Sequence, residues 1–168
     1  MRRFVLCFAL FAVISPPAWS AHEIKPFVSG SYQQIISARK GKPFIISLWS
    51  LNCGYCKVEL GMLKKLSRKY PGLDLVLIST DTPEEQKMVS AALKKLSLDK
   101  TEAWLFADNY AERLRHEIDS NWYGELPRTY FFNANNEVKA VSGQIEQAEV
   151  ERWIGEQYIS KRRQVNAE

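Results

Sequence analysis

The chain has 168 residues, 46% of them hydrophobic and 25% charged, with a formal charge of +4. That is the length of one domain and the composition of an ordinary globular one, long enough to bury a core without disulfide staples. Without residues 1–20, Lys and Arg fall from 23 to 21 against 19 Asp and Glu. The remaining +2 is too small a bias to point to nucleic acid or to an acidic membrane surface.

Residues 1–20 are expected to be a signal peptide. Arg2-Arg3 is a basic start, Phe4 to Ile14 is an unbroken apolar run, Ser15-Pro16-Pro17 breaks it, and Ala18-Trp19-Ser20 supplies small residues for a peptidase. The apolar run is about half of the ~20 residues a spanning helix needs. Cleavage near Ala21 would leave a secreted domain over residues 21–168, in the periplasm. The alternative is an uncleaved N-terminal anchor in the inner membrane. Cys7 leaves with the signal, so the mature chain keeps only Cys53 and Cys56, in a compartment where disulfides persist.

In chain order, Ser31-Tyr32-Gln33-Gln34 opens a short helix with a Ser31–Gln34 capping box, ended by Gly41. Phe44 to Trp49 is a near-continuous apolar run, as in a strand covered on both faces. A helix follows with Cys56, Leu60, Leu63, Leu66 and Tyr70 at helical spacing, stopped by Pro71-Gly72. Leu73 to Ile78 is a second buried strand. Thr82-Pro83-Glu84-Glu85 starts a helix whose inner side is expected to carry Met88, Ala92 and Leu96. Ala103 to Phe106 is a third strand, and Asp108 is expected to cap a helix with Tyr110, Leu114 and Ile118. Arg128–Phe132 and Val138–Val141 read as a hairpin through Asn133-Ala134-Asn135-Asn136. After Gly143, a last helix from about Glu146 turns Val150, Trp153, Ile154 and Tyr158 inward. Its basic end, Lys161-Arg162-Arg163, reads as solvated. Strands alternating with helices and closing on a hairpin and helix imply an α/β sandwich with a mixed sheet.

The chemistry lies in Cys53-Gly54-Tyr55-Cys56. A cysteine at the first turn of a helix faces unpaired backbone N–H groups and the positive end of the dipole. Both favour the thiolate, the nucleophile of disulfide exchange. The loop that the pair closes is too short for much gain in unfolded-state entropy, so the pair suits redox chemistry better than a structural staple. The other reading is a zinc site, which needs four ligands. Only His22 and His116 are available besides the pair, at no usual spacing. Cys56, one turn further along the helix, suits a resolving thiol. Glu59 edges the apolar side of the same helix. Burial would raise its pKa and make it a proton acceptor for Cys56, whereas a surface position would leave it an ordinary helix acid. Trp49 is read as a wall under the site or as plain core. Tyr55 is expected to be exposed and to touch substrate. His116, among charged neighbours, reads as a surface residue. Tyr130, Phe131 and Phe132 have no basic stripe beside them and read as sheet core.

Three motifs carry a resemblance: Lys42-Pro43-Phe44-Ile45-Ile46-Ser47-Leu48-Trp49, Cys53 to Leu60, and Glu125-Leu126-Pro127-Arg128-Thr129-Tyr130-Phe131-Phe132-Asn133. In this order they resemble the thioredoxin superfamily, and more narrowly the TlpA/ResA type of envelope thiol-disulfide oxidoreductase, over essentially the whole mature chain. The resemblance implies a three-layer sandwich, a central mixed sheet flanked by helices, with an extra helix and strand inserted between Ile78 and Tyr130. It implies that Pro127 is cis and lies against the cysteine pair, leaving the Leu126 backbone free for a substrate strand; an ordinary proline at the start of a strand is the alternative. Asn52, Gly54, Tyr55, Trp49 and Leu126 are then the expected substrate contacts. Asn52 stands where many relatives have Trp, Ser47 where thioredoxins have a buried Asp, and Gly61 where relatives often have Pro.

The activity so implied is a protein-disulfide reductase with no cofactor beyond the Cys53–Cys56 disulfide and no metal. Its expected partners are disulfide-bearing envelope proteins, such as apocytochrome c or copper-site proteins, and a membrane thiol that donates electrons. No nucleic acid is expected, and the chain is expected to be a monomer. Two other functions share the fold. A disulfide oxidase or isomerase could use the same Cys-Gly-Tyr-Cys, although the chain lacks room for an isomerase's dimerisation domain. A copper chaperone typically spaces its cysteines by three and adds a later His, and no His follows position 116.

Overall fold

The computed structural model describes residues 23–159. The expected signal peptide with Cys7, His22 and the Lys161-Arg162-Arg163 run lie outside these residues. The elements are β1 (Lys25–Phe27), α1 (Ser31–Ser37), β2 (Phe44–Trp49), α2 (Gly54–Lys69), β3 (Leu75–Ser79), α3 (Gln86–Lys95), β4 (Glu102–Phe106), α4 (Ala111–Ile118), β5 (Arg128–Phe132), β6 (Val138–Ser142) and α5 (Gln147–Ile154). They build a six-stranded sheet in the order β1-β4-β3-β2-β5-β6. The first four strands of that order run parallel, β5 pairs antiparallel with β2, and β6 pairs antiparallel with β5.

Alternation along the strands divides the core. Ile45, Trp49, Leu75, Leu77, Leu105 and Phe131 pack with residues of α2, α3 and α5. Phe44, Ile46, Leu48, Val76, Ile78, Tyr130 and Phe132 pack with α1 and α4 on the other face. The result is the three-layer thioredoxin-like sandwich, with α3 and β4 in the expected place of the insertion. β2 is buried at all six positions, which is why its sequence shows no alternation.

Three local expectations are corrected, and one strand is added. Ser31 does not cap α1: Gly30, at φ +83°, holds that position, and the Ser31 hydroxyl accepts the Val28 N–H at 2.9 Å instead. Glycine permits the left-handed turn that sets this start. Ala92 of α3 and Leu96 at its C-terminal cap pack against the core as expected, but Met88 is 54% exposed, and the most deeply buried residues of the stripe are Val89 and Leu93. The helix is preceded by a 3₁₀ turn, Pro83–Glu85. Asp108 makes a turn to the Tyr110 N–H at 3.0 Å one step before α4, and Tyr110 is exposed. β1 has no counterpart in the sequence reading: three residues with a proline carry no periodicity, and Phe27 alone anchors them in the core.

At the N-terminal ends of the parallel strands, Arg39 donates to Asp74 at 2.9 Å and to Glu102 at 2.6 Å. Its guanidinium lies 5.4 Å from the Phe44 ring centre. This ties α1 to the starts of β2, β3 and β4, at the end of the sheet opposite the cysteine pair.

Candidate active site

β2 ends at Trp49, and the chain turns through Ser50–Cys53 into α2, with the Cys53 N–H donating to the Ser50 carbonyl at 3.3 Å. Leu51 donates its N–H to both oxygens of Asp81, at 3.1 and 3.0 Å. Cys53 is the N-cap of the 16-residue α2 and adopts extended backbone. Its sulfur accepts the Cys56 N–H at 3.1 Å, so it occupies the position at which a helix favours an anion. The two sulfurs form a disulfide. They differ in access: Cys53 is half-buried, and Cys56 is 0% exposed.

Glu59, one turn beyond Cys56, is 1% exposed. Its Oε1 accepts the Thr129 hydroxyl at 2.7 Å and the Ser47 hydroxyl at 3.3 Å, and its Oε2 accepts the Ile145 N–H at 3.2 Å. Ser47 and Thr129 are register partners on β2 and β5. The carboxyl is thus held where two strands and the approach to α5 meet. Burial pushes its pKa above the usual range, while the bonds from Thr129, Ile145 and Ser47 pull it back.

The Leu126–Pro127 peptide bond is cis. Leu48 pairs with Arg128, so Pro127 arrives level with Trp49, just before the turn to Cys53. The Pro127 carbonyl accepts the Gly143 N–H at 2.8 Å. The Leu126 N–H and carbonyl have no hydrogen-bond partner among the described residues, and its side chain is half-buried against both core clusters. Asn52, Gly54 and Tyr55 are exposed, Tyr55 at 69%. Trp49 differs from the expected contact: at 1% exposure it is buried in the same cluster as Cys56 and offers no surface to a substrate. His116 is exposed. Among the described residues, no group of three or more His, Cys, Asp or Glu side chains could hold a metal ion.

Two participants escaped the sequence reading. Thr129 is a small hydroxyl residue in an aromatic strand, and Asp81 lies in a polar run after β3. Each is a polar residue beside an apolar stretch, a signal that marks burial only once the pairing is known.

Residues 28–141 match the AhpC/TSA family. The chain belongs to that family. Several solved structures share its fold. A secreted Mycobacterium tuberculosis disulfide oxidoreductase, described as homologous to E. coli DsbE, is 18% identical, with a TM-score of 0.56 over 71% of this chain and 84% of that one. A Chlorobium tepidum thiol:disulfide interchange protein is 19% identical, with a TM-score of 0.58 over 72% and 83%. StoA from Bacillus subtilis is 22% identical, with a TM-score of 0.51 over 68% and 83%. No curated protein matches the chain. The family, the fold and the paired cysteines make it a thioredoxin-like thiol-disulfide oxidoreductase.

Proposed function

We propose that the protein is a periplasmic protein-disulfide reductase, in which Cys53 attacks and Cys56 resolves. The observation that carries the order of attack is the unequal access of two sulfurs on one helix turn: Cys53 at the N-cap is reachable, and Cys56 is sealed. In the reduced protein the Cys53 thiolate displaces one sulfur of a client disulfide and forms a mixed disulfide. That client sulfur leaves as a thiolate and takes a proton. The Cys56 thiol gives its proton to a base, for which Glu59 is placed one turn away, and attacks Cys53. The second client thiol departs, and the Cys53–Cys56 disulfide remains. A membrane thiol donor returns the two electrons. The Leu126 backbone beside cis-Pro127, without a partner among the described residues, suits an extended client segment that pairs as a strand, with Asn52, Gly54 and Tyr55 exposed around it. The basic, apolar and small-residue pattern of residues 1–20 supports export, and the clients would then be disulfide-bearing envelope proteins.

Cys56→Ser is expected to accumulate mixed disulfides between Cys53 and its clients in the envelope, because the nucleophile remains and the resolving thiol is gone. Nonreducing gels and mass spectrometry of the captured species read the result. Trapping by Cys53→Ser instead would reverse the two roles.

A further inference from the structure

The turn that presents Cys53 is held from outside its own segment. Asp81 is 7% exposed and spends both carboxylate oxygens on the Leu51 N–H. The carboxylate is fixed in turn: the Ser79 hydroxyl donates to Oδ2 at 2.5 Å, and the Asp81 N–H donates back to the Ser79 oxygen at 3.2 Å. Thr80 donates its N–H to the Trp49 carbonyl at 3.0 Å, which carries the β2–β3 ladder one step past the strands. Leu51 is the second residue of the Ser50–Cys53 turn. The segment after β3 therefore grips the segment after β2 two residues ahead of the cysteine. A buried carboxylate is costly unless it is well bonded, and these bonds converge on that one turn.

We propose that Asp81 is the positioning residue of the attacking thiol: through the Leu51 amide it fixes the Ser50–Cys53 turn and so holds the Cys53 sulfur at the N-terminus of α2. This rests on Cys53 as the attacking thiol. Asp81 touches neither sulfur nor client in this role. It acts on the angle at which Cys53 meets the helix N–H groups, and small misplacements of a reacting atom lower rates steeply.

The test compares Asp81→Ala with Asp81→Asn in the reduced full chain. Iodoacetamide alkylation of Cys53 is followed by mass spectrometry from pH 4 to 9, with circular dichroism as the check on folding. Asn keeps an acceptor for the Leu51 N–H, and the Ser79 hydroxyl can turn to accept from its amide. Ala keeps neither. Asp81→Ala is expected to raise the apparent thiol pKa and to slow alkylation at pH 7 by about tenfold, while Asp81→Asn stays close to the unaltered rate. A folded Ala variant with unchanged titration, or an Asn variant as slow as Ala, overturns the proposal. Proton NMR of the unaltered protein covers an Ala variant that fails to fold. The Leu51 amide shift is expected to follow the Asp81 carboxyl titration, which burial moves up and to which the neighbouring Glu85 charge adds. A flat Leu51 shift while Asp81 titrates overturns the proposal. Alkylation landing on Cys56 in the unaltered protein overturns the assignment of Cys53 itself, whereas the Leu51 shift reads the clamp alone.

Discussion

Replacing Glu59 with Gln separates the two consequences of its burial. Gln fills the same space. Its oxygen can accept the Ile145 N–H, and its amide can donate to the Ser47 and Thr129 hydroxyls, which turn to accept. In the native chain, burial raises the folded pKa of Glu59 above its ordinary value, against the pull of the three hydrogen bonds. Ionisation therefore opposes folding. The favourable contribution of the neutral carboxyl is full below the unfolded-state pKa of about 4.3 and is lost as pH rises through the raised folded value. The Gln variant stays neutral throughout. The variant should therefore be the more stable of the two at pH 8, where every unit by which burial raises the pKa of Glu59 counts against the native fold by about 1.4 kcal/mol. At pH 4 the two proteins should melt together. Thermal unfolding of both oxidised proteins between pH 4 and 8 reads this without interference from free thiols. In the reduced variant, disulfide reduction should slow, since Gln cannot take the Cys56 proton. A stability difference that is flat with pH, or a variant that is less stable at pH 8 than at pH 4 relative to the native chain, would refute the reasoning from burial.

Arg39→Ala should lower stability by about 2 kcal/mol. Its side chain is 10% exposed, but Asp74 and Glu102 keep partial access to water, so the loss falls short of the 3–5 kcal/mol of a fully buried pair. Urea unfolding checks this, and the alkylation rate of Cys53 should not change, because the network lies at the far end of the sheet. Tyr55→Ala should leave stability within about 0.5 kcal/mol, as expected for an exposed side chain. Combined with Cys56→Ser, it should reduce the yield of trapped clients; an unchanged yield would mean that Tyr55 does not touch them.

The sandwich was legible because its signals are local. Apolar β2, the helix spacing of Leu60, Leu63 and Leu66, and the asparagine-rich hairpin each mark one element without reference to another. The Cys pair and its place at a helix start could be read in the same way. What escaped depends on contacts between segments. β1 exists because Phe27 fits beside Trp104 and Phe106, not because three residues look like a strand. In α3 the buried face takes in Val89 and Leu93 beside Ala92 and Leu96 and leaves Met88 outside. Thr129 and Asp81 become site residues only when β5 and the segment after β3 are laid against β2. Trp49 is an expected substrate contact by sequence, and its complete burial beside the residues of α2 removes it from that set.

The reduction potential of the Cys53/Cys56 pair tests the central claim most directly, by equilibration of residues 21–168 with glutathione or dithiothreitol buffers and quantification of the two forms. A value nearer thioredoxin's about −270 mV than the about −120 mV of a strong periplasmic oxidant is the predicted result. A value above about −180 mV, the region of protein disulfide isomerase, would contradict the reductase assignment and favour an oxidase or isomerase.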